Sequence, residues 1–150
     1  MPQFETSLTL PRPPEDLFDF LARPANIVKI SPQGIGLTFL SAPEIVEAGS
    51  RIEFKVQGWG QVQQMIHEII AFDRPHQFIE KQVKGPFKHW IHEHHFATNA
   101  DGHTVVTDQI EFEPPGGLIG LLITKTKILD HLEDAFYHRH AQLRKLLDNA

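Results

Sequence analysis

Gly85-Pro86-Phe87-Lys88-His89-Trp90-Ile91-His92-Glu93-His94-His95-Phe96 is the stretch on which the reading of this chain turns. A turn signal follows at Asn99-Ala100-Asp101-Gly102, and then a second strand-like run, Thr104-Val105-Val106-Thr107-Asp108-Gln109-Ile110-Glu111-Phe112. At period two, Trp90, His92, His94 and Phe96 share one face of a strand, while Asp108, Ile110 and Phe112 share one face of its hairpin partner. Apolar and aromatic side chains mixed with imidazoles and a carboxylate describe the wall of a semi-polar pocket better than a dry core. The loop sets the register. A three-residue loop over 100–102, with Gly102 left-handed, pairs Asn99 with His103 and sets His94 opposite Asp108. One step of slip would turn Asp108 to the other face, and two steps would bring it opposite His92.

Working outward, residues 3–10 alternate as a first strand, with Phe4, Thr6, Leu8 and Leu10 on one side. Pro11-Arg12-Pro13-Pro14 breaks the ladder, and Pro14 with Glu15 and Asp16 makes a helix start. Leu17, Phe18, Phe20 and Leu21 form its apolar stripe, and a second short helix is expected over 25–30. From about Gly36 to Glu113 the pattern is β. Strand facing over 62–83 stays open, because Gln64, Glu68, Glu80 and Gln82 interrupt otherwise apolar positions: they face solvent or line the same pocket. After Pro114-Pro115-Gly116-Gly117 the period becomes helical. Leu121, Leu122, Ile128, Leu129, Leu132, Phe136, Leu143, Leu146 and Leu147 predict one long amphipathic helix from Leu121 to Leu147.

Composition bounds the class. The chain has 150 residues, 41% hydrophobic and 22% charged, which fits a single globular domain over 1–150. A net charge of −5 with 14 Lys and Arg gives no electrostatic footprint for nucleic acid. The absence of cysteine removes disulfides, thiolate catalysis and Cys-based zinc sites. No apolar run approaches the roughly 20 residues of a transmembrane helix. The N-terminal residues lack a basic n-region and an apolar h-region, so cytoplasm is the expectation.

One strand, two short helices, six strands in meander order and a long helix make a specific series. A long antiparallel sheet must bury one face, and the last helix carries the stripe that can cover it. The order resembles the α+β helix-grip fold of the START-like, or SRPBCC, superfamily. In that fold a curved sheet of about seven strands wraps a C-terminal helix. The local likeness is to polyketide cyclase/dehydrase-like bacterial members, through Gly85-Pro86-Phe87, the Trp90-to-Phe96 strand, Thr107-Asp108 and the joint at 114–117. The resemblance implies a cavity between sheet and helix. It does not fix a function, since that superfamily holds carriers, receptors and enzymes.

Candidate chemistry centres on the histidines, ten in all, four of them between His89 and His95. His-x-His on a strand puts two imidazoles on one face, and zinc would need a third ligand from Asp108, Glu68 or His140. With no His-Glu-x-x-His helix and no Cys pattern, the expectation is no metal. A His94–Asp108 pair either orients a general base or satisfies two polar groups beneath the helix; the structural role is the expectation. No Gly-x-Ser-x-Gly elbow occurs, and the Gly34-Ile35-Gly36 and Gly58-Trp59-Gly60 segments are too short for phosphate loops, so no cofactor is expected. Trp59 reads as a sheet-edge residue, a partner contact or a lid. Residues 116–123 read as a gate to the cavity, a contact for a hydrophobic partner or a second copy of the chain, or plain core.

These readings converge on a protein that binds a small hydrophobic or amphipathic molecule, lipid-, quinone- or polyketide-like, between sheet and helix. Trp90, Phe96, Ile110, Phe112 and Phe136 are expected to give apolar contacts, with His92, His94, Asp108 and His140 orienting a polar end. Two alternatives stand beside it. One is a cyclase/dehydrase- or hydrolase-type enzyme with His94 as base and Asp108 orienting it. The other is a protein-interaction module with a filled core.

Overall fold

Seven strands form one antiparallel sheet in the order β1-β7-β6-β5-β4-β3-β2. The computed structural model describes residues 1–58 and 61–148; Trp59 and its turn lie outside them. The strands are β1 (Gln3–Leu10), β2 (Thr38–Ser41), β3 (Arg51–Gly58), β4 (Gln61–Asp73), β5 (Gln77–Lys84), β6 (His89–Thr98) and β7 (Thr104–Glu113). Two short helices, α1 (Pro14–Leu21) and α2 (Pro24–Lys29), follow the first strand. Each has proline at its first turn, where the missing N–H costs no helical bond. The stripe of α1 buries Leu17, Phe18 and Leu21. Phe18 meets Phe72, Phe78 and Phe96 edge-on at 5.1–5.4 Å, closing one end of the sheet.

The β6–β7 hairpin has the expected register. Asn99 N donates to the His103 carbonyl at 2.8 Å, Gly102 has φ +77°, and His94 pairs with Asp108. Asn99 Oδ1 also accepts from the backbone N–H groups of Asp101 and His103 at 3.0 Å, which closes the loop from inside.

Two irregularities resolve the facing of 62–83. In β4 the odd positions Gln63, Met65, His67 and Ile69 are buried, and Gln64 and Glu68 face outward. Ladder shifts fall between Ile66 and His67 and between Ile69 and Ala71. Past the second, the parity changes and Phe72 packs inward on Phe18 and Phe78. In β5 it is the even positions Phe78 and Glu80 that turn inward, and Gln82 reaches the turn beyond β5. Both readings of these residues therefore occur, on different strands.

The single helix expected from Leu121 is two. A short α3 (Gly117–Leu122) ends at Ile123, and α4 (Lys125–Leu147) starts afresh. Thr124 caps α4, its hydroxyl accepting from Lys127 N at 3.3 Å. The break follows from burial: Ile123 is 1% exposed, which anchors the chain, while Leu118, Leu121 and Leu122 point to solvent. Over its 23 residues α4 buries Ile128, Leu132, Phe136 and Leu143 against the sheet. None of its described residues, nor those of any other helix, forms a stretch long and apolar enough to cross a membrane.

Candidate functional site

A cavity of about 230 Å³ lies between the sheet and α4. Its walls are largely apolar, including Leu37, Phe54, Val56, Met65, Phe87, Trp90, Ile110, Ile128, Leu132 and Phe136. The interior is therefore not filled, contrary to the interaction-module alternative. Four polar side chains from the sheet, His67, Glu80, His92 and His94, line one wall, and Arg139 and His131 of α4 face them.

The polar wall is built by register. β4, β5, β6 and β7 are consecutive in the sheet, so inward positions on each stand side by side. Glu80 pairs with Ile69 on one side and His92 on the other, and His94 pairs with Asp108. Burial of that row without partners would be costly, and each member finds one. His67 Nδ1 donates to Glu80 Oε2 at 2.9 Å, and His94 Nε2 donates to Glu80 Oε1 at 2.9 Å. His92 Nε2 donates to Asp108 Oδ1 at 2.7 Å. His94 Nδ1 lies 3.2 Å from that same oxygen, in ion-pair range but not aligned as a hydrogen bond. The rings stack: His92 on His94 at 3.8 Å and His94 on Phe78 at 4.1 Å, with Phe136 edge-on to His92 at 5.9 Å.

Charge in this row is unevenly shared. Burial opposes ionisation of Glu80, but hydrogen bonds from His67 and His94 outweigh it and hold its pKa well below the carboxylate range. Asp108 is depressed in the same way, its burial outweighed by His92 and His94. Burial also works against a charged His94, yet Asp108 and Glu80 together raise its pKa. His92 goes the other way, to about 4, through burial and then the neighbouring His94 charge. The two carboxylates thus favour the charged form of His94, whereas burial favours the neutral form of His92.

The structure brings together Trp90, His92, His94, Ile110 and Phe136 at the cavity. Among the described residues, Phe96, Asp108, Phe112 and His140 do not line it. Phe96 sits under α1 against Phe18 and Phe78, because the sheet extends past the cavity at that end. Phe112 is fully buried beside Trp90, at 6.0 Å. Asp108 lies behind the two imidazoles and is 2% exposed. His140 packs edge-on to Phe136, one turn beyond the cavity wall. Of the third ligands considered for a metal, Glu68 is on the outer face with Arg51 at 3.1 Å. Residues 116–123 do not line the cavity, and the exposure of Leu118, Leu121 and Leu122 sets aside plain core for them.

Sequence reasoning missed His67, His131 and Arg139, and left Glu80 undecided. His67 shares the parity of Met65 and Ile69, but the exposed Val62 and Ile70 on the opposite parity mask that pattern. Arg139 lies three residues from Phe136 and holds its guanidinium 4.7 Å over that ring.

Fold, cavity and inward polar row define a helix-grip protein. The chain belongs to the family described as a domain of unknown function (DUF8410), whose model matches residues 62–147. Protein CV1439 from Chromobacterium violaceum is similar over 99% of this chain and 98% of its own, at 12% identity and TM-score 0.74. TTHA0849 from Thermus thermophilus is 13% identical, covering 97% and 99%, with TM-score 0.72. The ginseng major latex-like protein 151 from Panax ginseng is 20% identical over 93% and 95%, with TM-score 0.66. At these identities the likeness is one of fold. No curated protein matches the chain.

Proposed function

We propose that the chain binds a small amphipathic molecule in the cavity between sheet and α4, its apolar body against Trp90, Phe87 and Ile128 and its polar end at His67. One observation carries this reading. His67 is 5% exposed, gives Nδ1 to Glu80, and leaves Nε2 buried without a partner on the polar wall of the cavity. Because the carboxylate can only accept, the ring gives it the Nδ1 hydrogen, and Nε2 is left to bond a polar group of the ligand. Across the cavity Arg139 has a buried Nη1 without a partner, suited to an oxygen acceptor.

Size narrows the class. A dry cavity of about 150 Å³ can hold benzene, so about 230 Å³ favours one or two fused rings over a long acyl chain. Within the quinone- and polyketide-like range, a hydroxylated ring compound fits best. A Trp59→Phe background leaves Trp90 as the reporter. In it, 2-naphthol should quench emission at micromolar concentration and bind about tenfold tighter than naphthalene, the difference one hydrogen bond supplies. The advantage should vanish in His67→Phe. Equal affinity for both probes in the unmodified site would overturn the assignment of His67, and no quenching by either would overturn the cavity reading.

A further inference from the structure

Glu80, His92 and His94 bring three ligand atoms, one from each residue, within 4.8 Å of one another, and all three side chains line the cavity. Glu80 Oε1 is 2.9 Å from His94 Nε2 and 3.5 Å from His92 Nδ1. Metal–ligand bonds of about 2.0–2.1 Å at tetrahedral angles put neighbouring ligand atoms roughly 3.3–3.4 Å apart. The two separations from Glu80 Oε1 bracket that value.

The outer partners complete the pattern. Each histidine presents its other ring nitrogen to the buried Asp108, at 2.7 Å for His92 and 3.2 Å for His94. For His92 that hydrogen bond leaves Nδ1 free to coordinate, as carboxylates behind metal-bound histidines do, while His94 Nδ1 lies in ion-pair range of the same oxygen. The non-coordinating oxygen of Glu80 is held by His67 Nδ1 at 2.9 Å, and the unpartnered Nε2 of His67 is buried at the same polar wall. Charge also balances. A divalent ion beside the carboxylates of Glu80 and Asp108, with neutral imidazoles, leaves the buried row with no net charge.

We propose that Glu80, His92 and His94 form a mononuclear site for a first-row divalent transition-metal ion, with open coordination positions facing the cavity. Two imidazoles and one carboxylate suit zinc or iron(II), and leave room for water or a ligand oxygen. The ion replaces the His94–Glu80 hydrogen bond, and the proton on His94 leaves to solvent. This inference goes beyond the ligand reading and does not depend on it.

Chelator-stripped protein titrated with Co²⁺ should develop visible d–d absorption saturating at one ion per chain, and Zn²⁺ should displace it. Glu80→Gln should weaken binding by more than the roughly 10–100-fold expected for the outer-partner change Asp108→Asn. His76→Gln, on the exposed surface, should change nothing. Because changes in a buried row can unfold a domain, the unmodified protein gives a second readout. In its imidazole NMR spectrum, Zn²⁺ should shift His92 and His94 first and leave His76 in place. Absence of a saturable site, shifts confined to exposed histidines, or full affinity in a folded Glu80→Gln variant would each overturn the proposal.

Discussion

His92 Nε2 lies 2.7 Å from Asp108 Oδ1, although the cross-strand partner of Asp108 is His94. One carboxylate oxygen thus serves two stacked rings, directly to the diagonal neighbour and less well aligned to the opposite one. Both partners of the short bond are almost fully buried. Removing the carboxylate leaves the buried His92 N–H unpaired and takes a partner from His94, which costs about 1–3 kcal/mol for the unpaired donor alone. Asp108→Ala should therefore lose a large part of a total stability of about 5–15 kcal/mol. The His92→Gln and Asp108→Asn pair should show coupling of about 0.5–3 kcal/mol in a double-mutant cycle. Additive changes in urea midpoints would show that the bond contributes nothing specific.

The same row predicts a stability maximum in the metal-free protein. His94 has a folded pKa above 6.5, so its contribution is complete below that value and is lost as pH rises through the raised one. His92, at about 4 against 6.5, does the reverse: the unfolded chain takes up a proton that the folded chain refuses, and stability falls from pH 6.5 towards 4. That acid limb is on the order of 3 kcal/mol. The depressed Glu80 and Asp108 add further loss below their ordinary values of 4.5 and 3.8. Denaturation between about pH 5 and 9 should show a peak at about pH 6.5, and His94→Gln should flatten its alkaline side. Stability rising steadily to pH 9 would contradict the charge state assigned to His94.

Phe136 ties the helix to the polar row. It is 5% exposed, tilted against Phe4 at 5.4 Å, and edge-on to His92. Phe136→Ala should cost about 3–5 kcal/mol and enlarge the cavity. Phe136→Asp should be worse, since a carboxylate there joins two already present. Calorimetric melting decides this, and an unchanged transition for either variant would mean that α4 does not depend on this contact.

The fold was legible because its signals were local. Alternation in β1, β6 and β7, proline at the start of α1, and the Asn99–Gly102 loop each specify geometry within a few residues. The hairpin loop alone carried the register of His94 on Asp108. What was not legible depended on events elsewhere in the chain. Exposed Val62 and Ile70 make both parities of β4 look apolar, and polar residues interrupt the inward parities of β4 and β5, so His67 and Glu80 could not be placed from alternation. The break at Thr124 needed knowledge that Ile123 would be buried. Arg139 shares a face with Phe136, but nothing in a helical period distinguishes a snorkelling arginine from one turned into a cavity. Phe96 and Phe112 share the strand faces of Trp90 and Ile110, and period two could not tell where along those strands the cavity stops.

Gly85 offers a last prediction, linking the Gly85-Pro86-Phe87 turn to the cavity wall. Gln82 reaches across this turn, donating Nε2 to the Phe87 carbonyl at 2.6 Å and accepting from Phe87 N at 3.4 Å. That clasp sets Phe87 against Trp90, with ring centres 4.8 Å apart, where both line the cavity. A side chain at Gly85 would collide with the Gln82 amide and press on Met65 Cγ. Gly85→Ala should therefore cost about 1–3 kcal/mol by overpacking. Gln82→Ala should cost about 1–2 kcal/mol through two lost hydrogen bonds. In the double variant the obstructing amide is gone, so the combined loss should fall short of the sum by about 1 kcal/mol or more. Trp90 emission should shift in Gln82→Ala as Phe87 loosens. Strict additivity with unaltered emission would show that the clasp does not hold this wall in place.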